Sequence, residues 1–232
     1  MKKLTIFCSL AIAATFAAFS ASAQTVTRNV SGYTGIECNG PFNVKVKIDG
    51  TETLKLDVDA DVANDIKTEV DGGVLKINLK NSWWKHRNIK RGNIYVTAKQ
   101  LSYLGNGGSG NTVLEGTITG NDAKVALSGS GNLQAAVKAQ NLELALSGSG
   151  GINVSGSAND TEARISGSGE INAKRVTTQN LAARISGSGS VNITANKTVS
   201  ASISGSGGVD YSGSARVTET HVSGSGRVNK VD

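Results

Sequence analysis

Ser128-Gly129-Ser130-Gly131 returns five times, at 147–150, 166–169, 186–189, 204–207 and 223–226. Successive starts lie 19, 19, 20, 18 and 19 residues apart, and a degenerate copy, Gly107-Gly108-Ser109-Gly110, precedes the first by 21. A fixed period near 19 predicts a solenoid, in which each repeat buries its apolar side only by stacking on its neighbours.

Alignment on the first serine shows what stacks. The residue before it is Leu127, Leu146, Ile165, Ile185, Ile203 or Val222, and two further back stands Val125, Leu144, Ala163, Ala183, Ala201 or Thr220. Between them lies a mixed, mostly polar column: Ala126, Ala145, Arg164, Arg184, Ser202 and His221. After the glycines come Leu133, Ile152, Ile171, Val191, Val209 and Val228, then a polar residue, then Ala135, Val154, Ala173, Ile193, Tyr211 or Lys230. Apolar residues two apart face the same way on a strand. Each period therefore reads as two short strands joined by a glycine corner. A variable second corner, such as Lys138–Asn141, Gly156–Asp160 or Ala195–Thr198, closes the coil.

The fold expected is all-β: a solenoid with coils of about 19 residues, preceded by a β-rich N-terminal segment. Gly129, Gly131, Gly148, Gly150, Gly167, Gly169, Gly187, Gly189, Gly205, Gly207, Gly224 and Gly226 are its structural corners, placed where the chain turns without bulk. The serines can cap the corner backbone or stack on those of adjacent coils. The polar column Gln134, Asn153, Asn172, Asn192, Asp210 and Asn229 predicts a surface ladder bonding rung to rung. A ligand-binding strip is the alternative use of that column. At the last coil, Arg227, Lys230 and Asp232 place charge on an open edge.

Residues 24–104 have period two. Val44-Lys45-Val46-Lys47-Ile48 and Leu54-Lys55-Leu56-Asp57-Val58 alternate around Asp49-Gly50. Ile66, Thr68 and Val70 lead through Asp71-Gly72-Gly73 into Val74–Leu79, and Ile94–Ala98 leads into the repeats. This reads as a half-exposed sheet with Asp-Gly turns, with one helical turn near Ala60–Asp65.

Residues 1–23 read as a cleaved signal peptide. Lys2 and Lys3 precede an apolar run to about Phe19, and Ala21-Ser22-Ala23 before Gln24 fits the cleavage site. The run is too short for a membrane span. The chain is therefore expected to be exported through the Sec pathway to the periplasm or outer surface, with no integral span in the mature protein. Cys8 leaves with the leader, and Cys38, lacking a partner, reads as a buried small hydrophobe. Without Lys2 and Lys3, 22 basic residues stand against 18 acidic, a net of +4. That balance is too mild and dispersed for a nucleic-acid partner.

Trp83-Trp84-Lys85-His86-Arg87 is the best local candidate for ligand binding, because aromatic and arginine side chains anchor interfaces. The bland reading is a long hairpin folded over the sheet. Asp57-x-Asp59-x-Asp61 has the early spacing of a calcium loop, but Val62 and Thr68 stand where glycine and glutamate are required. No nucleophile motif, cofactor motif or metal motif is present. Arg164 and Arg184 stack one coil apart on the outward face with no matching carboxylate pair to accompany them. Glu143 and Glu162 also lie about one coil apart, as do Glu170 and Ser190, and two carboxylates could meet for acid–base work, although solvated charges on an outer face are the expected reading.

The chain resembles the auto-transporter adhesin head GIN domain family, a domain of unknown function in exported bacterial proteins, frequent in Bacteroidetes. The residues that carry this are Gly151-Ile152-Asn153 and its variants Glu170-Ile171-Asn172, Ser190-Val191-Asn192 and Arg227-Val228-Asn229. Ile36–Val44 resembles the family's opening strand, and Tyr95-Val96-Thr97-Ala98 stands ahead of the first corner as in the family. The resemblance covers about 33–230 and implies a right-handed β-helix-like solenoid; it carries no catalytic residues. The function expected is an exported, non-enzymatic envelope protein binding a glycan or protein. The alternatives are a carbohydrate-active β-helix enzyme and a structural element assembling through its solenoid ends.

Overall fold

A computed structural model describes residues 25–80 and 92–231. The N-terminal part holds β1 (Thr25–Arg28), β2 (Gly35–Asn39), β3 (Asn43–Ile48), β4 (Thr53–Val58), the single helical turn α1 (Ala60–Ala63), β5 (Ile66–Asp71), β6 (Val74–Leu79), β7 (Gly92–Ala98) and β8 (Tyr103–Asn106). The repeats follow as β9 (Asn111–Gly129), β10 (Asn132–Gly148), β11 (Gly151–Gly167), β12 (Glu170–Gly187), β13 (Ser190–Gly205), β14 (Gly208–Ser212), β15 (Arg216–Gly224) and β16 (Arg227–Lys230). The result is a β-solenoid of about 7 turns with coils of roughly 19 residues.

Coils pair in parallel and in register, Leu133 on Ile152 and Leu146 on Ile165, for example. The predicted inward columns are buried from the first coil through the fifth. In the last coil Val222 rises to 38% exposure, because no rung covers it. The second corner differs from the expectation of two separate strands. Each of β10 to β13 runs unbroken through it, and Lys138↔Ser157 and Asn141↔Asp160 stay paired. Length differences are absorbed there as bulges, at Ala173/Thr177 and Thr178/Asn180 for instance. Thr178 is fully buried at one such bulge, its hydroxyl 3.1 Å from the carbonyls of Asn159 and Asn180.

Each coil thus contributes to two walls. The first half of β9 lies on β3, then β7, β4 and β1. The second half of β9 lies on β8, then β2, β6 and β5. The N-terminal strands extend both walls, so one core fills the space between them. The turn at Asp71-Gly72-Gly73 closes the expected hairpin, β5 with β6. Asp49-Gly50 does not, because β7 inserts between β3 and β4, parallel to one and antiparallel to the other. Alternation of apolar and charged residues is the same in either pairing.

The N-terminal end is finished. The Arg28 guanidinium, on the edge strand of the first wall, donates to the carbonyls of Ile66 (2.7 Å) and Ala63 (2.8 Å) and to the Thr68 hydroxyl (3.0 Å) on the second. The C-terminal end is not: all nine residues of β15 are exposed, Val217 by 44%. Arg227 and Lys230 are exposed there as expected, while Asp232 lies outside the described residues. No helix among the described residues is long and apolar enough to cross a membrane, which says nothing of strands.

Cys38 is buried on β2, and burial, with Glu37 beside it, pushes its thiol up to about 12. The thiolate is the reactive form. Native protein at pH 8 should therefore resist iodoacetamide while denaturant-unfolded protein is alkylated. Rapid modification of the native chain, followed by mass spectrometry, would contradict this burial.

Candidate functional site

The Trp83, Trp84, Lys85, His86 and Arg87 cluster lies outside the described residues, between β6 and β7. Of the aspartate triplet, Asp57 is the penultimate residue of β4 and Asp59 occupies the N-cap position of α1. Among the described residues no group of three or more His, Cys, Asp or Glu could hold a metal ion.

The corner glycines are structural, for two different reasons. The first of each pair has a positive φ, from +118° at Gly148 to +136° at Gly129, which L side chains rarely adopt. The second, exemplified by Gly169, has ordinary φ, but a Cβ there would strike the Gly150 carbonyl of the coil below. The serines act through their backbone. Ser168 N–H and Gly169 N–H both donate to the Gly148 carbonyl, at 3.0 and 3.1 Å, and the pattern repeats in the neighbouring coils.

The outer face of the second wall gathers polar side chains into four columns. Nearest the corner stand Ser128, Ser147, Ser166, Ser186 and Ser204. Next come Gly105, Ala126, Ala145, Arg164, Arg184 and Ser202. The third column reads Tyr103, Lys124, Glu143, Glu162, Ala182 and Ser200, and the fourth Asp122, Asn141, Asp160, Asn180 and Thr198.

The second and third columns interlock. Lys124 Nζ lies 3.1 Å from Glu143 Oε1, and Arg164 reaches Glu143 Oε1 at 2.9 Å and Glu162 Oε2 at 2.6 Å. Arg184 completes the chain on Glu162. The arginines therefore do have carboxylate partners, contrary to the expectation from sequence. The acids stand in the column two residues upstream, on the arginine's own coil or the preceding one, within reach of a long guanidinium arm. Individual exposed ion pairs add little stability. Linked in series, these hold five long side chains in one arrangement as a ridge.

Two shallow grooves flank this ridge. One, of about 720 Å³, runs along the serine column from Glu37 and Tyr103 to Arg184. The other, of about 850 Å³, runs along the fourth column. The fourth column also carries the polar ladder that was expected elsewhere. Asn141 Nδ2 donates to Asp122 (2.8 Å), Asn180 Nδ2 to Asp160 (2.7 Å), and Thr198 Oγ1 to Asn180 (2.7 Å). In the column beginning at Gln134 the bonded neighbours are Asn229 and Asp210, at 3.1 Å, while Asn192 turns to Glu170 at 3.0 Å. Short amides bond directly to the next rung only where their χ angles align them with an acceptor.

At the head of the first groove Glu37 is held by two donors, Asn39 Nδ2 on Oε1 at 2.9 Å and Tyr103 Oη on Oε2 at 3.4 Å; Tyr103 also lines the second groove. Burial first, then the nearby Glu37 charge, pushes the Tyr103 phenol up to about 12, so it stays protonated as a donor. Sequence reasoning missed Tyr103, Lys124 and the joining of the two charged columns. The usable signal was the offset of four residues before the serine, where Lys124, Glu143 and Glu162 align.

A family model described as "Putative auto-transporter adhesin, head GIN domain" matches residues 32–215. Among solved structures, a putative adhesin from Bacteroides fragilis superposes with a TM-score of 0.80 at 20% identity, covering 91% of this chain and 99% of that one. A putative lipid binding protein from Parabacteroides distasonis reaches 0.71 at 25% identity, covering 90% of this chain and 96% of its own. A putative adhesin from Parabacteroides merdae reaches 0.70 at 21% identity, with the same coverage of 90% and 96%. No curated protein matches the sequence significantly.

Proposed function

Because the chain belongs to the family described as putative auto-transporter adhesin, head GIN domain, we propose that it is an exported, non-enzymatic binding protein of the cell envelope. Its ligand, a glycan or a protein, is held on the outer face of the second wall. The observation that carries this reading is the pair of grooves on either side of an ion-paired ridge, crossing several coils of a rigid scaffold. Each coil presents the same backbone geometry to the face, so a long ligand meets a repeating surface. Glu143 and Glu162 are each engaged by cationic partners. That arrangement orients charge, and it gives no free acid and base facing one another across a scissile bond. The relative described as lipid binding suggests an acyl ligand, but of the apolar residues lining the first groove Leu127, Leu146, Ile165 and Ile185 are each at most 3% exposed, which leaves Tyr103, Ala126 and Ala145 as its accessible apolar surface.

The test uses immobilised mature chain, challenged with a glycan array and with fractionated envelope protein. Ala145→Trp fills the floor from an outward position and leaves the core untouched. The expected result is a retained ligand, identified by mass spectrometry or array position, whose affinity drops about tenfold or more in the variant. Equal retention by both proteins, no retention, or release of polysaccharide fragments would overturn the proposal.

A further inference from the structure

The head of the first groove has a feature that no coil repeats. Tyr103 opens β8 on the outer face, and the next outward residue on its strand is Gly105. A Cβ on Gly105 would run into the Tyr103 hydroxyl and ring, with Cζ at 2.8 Å. A Cβ on the neighbouring Gly35 would sit 3.1 Å from Tyr103 Cδ1. Two glycines therefore clear the sheet surface so that the tyrosine ring can lie along it. Its inner side covers Gly105, which is buried, and the ring lines both grooves. From Gly105 the outer column continues through Ala126 and Ala145 before Arg164 rises. Three rung steps of about 4.8 Å make a low trough roughly 14 Å long. An aromatic plate and a fixed carboxylate stand at one end, and a fixed guanidinium at the other.

We propose that this trough binds a neutral oligosaccharide, with one pyranose unit stacked on Tyr103 and the chain running along the solenoid axis toward Arg164. The proposal rests on the binding reading above and names its ligand class. A pyranose presents a C–H face to an aromatic ring and hydroxyl pairs at its rim. Glu37 is anchored by Asn39 and Tyr103, and Arg164 by Glu143 and Glu162. Both planar groups keep unused acceptor or donor positions, which suit vicinal hydroxyls, and neither has to be ordered on binding. The groove's own charged lining is Glu37, Arg164 and Arg184, and with the adjoining ridge residues Lys124, Glu143 and Glu162 the charge is balanced, three of each sign. No net field draws an acidic polymer. A peptide added as a strand needs a free sheet edge, and here both edges of each coil from β9 to β12 are already paired.

The experiment titrates the mature chain, by calorimetry and by saturation-transfer NMR, with neutral hexaoses of glucose, mannose and xylose and with an oligogalacturonide as the acidic comparison. At least one neutral hexaose should bind. Tyr103→Ala should weaken it about tenfold and Tyr103→Phe only a few-fold, since the ring supplies the stacking surface. Ala145→Trp should also weaken it. Binding of the oligogalacturonide alone, or neutral binding unchanged in Tyr103→Ala and Ala145→Trp, would overturn the proposal. A protein ligand lost in Ala145→Trp but indifferent to Tyr103→Ala would overturn it too, while leaving the broader binding function standing.

Discussion

Replacing Gly167 with alanine should cost about 4 kcal/mol of stability, a large loss for a single methyl group. Gly167 has φ +124°, and its new Cβ would strike the Gly148 carbonyl, with the carbonyl carbon at 3.1 Å. That oxygen accepts from both Ser168 and Gly169, so the methyl displaces the acceptor of two backbone bonds as well as straining its own residue. Gly72→Ala is the control. Its φ is +57°, but nothing lies within 4 Å of an added Cβ, so only conformational strain of about 1 kcal/mol applies. Equilibrium denaturation of the two variants should separate them clearly. Losses of equal size would show that the corner glycines are needed for their φ alone and that close stacking of coils contributes nothing.

The second large effect lies in the inward column. Ile165→Ala should destabilise by about 3 kcal/mol, because the residue is 3% exposed with a coil on either side to keep the cavity open. Val222→Ala, in the same column at the last rung, should cost under about 1 kcal/mol, because that side chain is already 38% exposed. Stability in a stacked array is a sum over neighbouring interfaces. The position in the stack then decides the cost of the same kind of truncation. A Val222→Ala variant as damaged as Ile165→Ala, by urea denaturation, would mean that the last rung is covered in solution.

The solenoid was legible because glycine is required twice per corner, by conformation and by contact, so the spacing of Ser-Gly-Ser-Gly could not drift. The buried columns followed from it, and Leu127, Leu146, Ile165, Ile185 and Ile203 are all at most 3% exposed. The N-terminal topology was less legible. The alternation of β3 and β4 suits a hairpin and also suits two strands separated by β7. The polar ladder expected in the column at Gln134 forms there only between Asn229 and Asp210, and runs through more rungs in the column at Asp122. A period tells which side chains stack, but not which have the rotamers and acceptors to bond. The ridge escaped for a related reason. Arg164 pairs with acids of its own and the preceding coil two positions away, a diagonal that a single aligned column does not display. Tyr103 belongs to no repeat at all, so periodicity carried no information about it.

The unequal ends of the stack give the molecule a direction. The Arg28 closure joins segments that all lie before residue 80 and involves none of the repeat coils. β7 lies between β4 and β3, and β8 between β2 and β9, so this base is complete only with residues 92–106 in place, and the repeat coils stack on it in chain order. The open rung at β15 and β16 is the same kind of surface on which each earlier coil was received. Lengthening or shortening this protein by whole coils at that end would therefore demand no new closure. Evolution can set the reach of the molecule as a count, independently of the groove near its base.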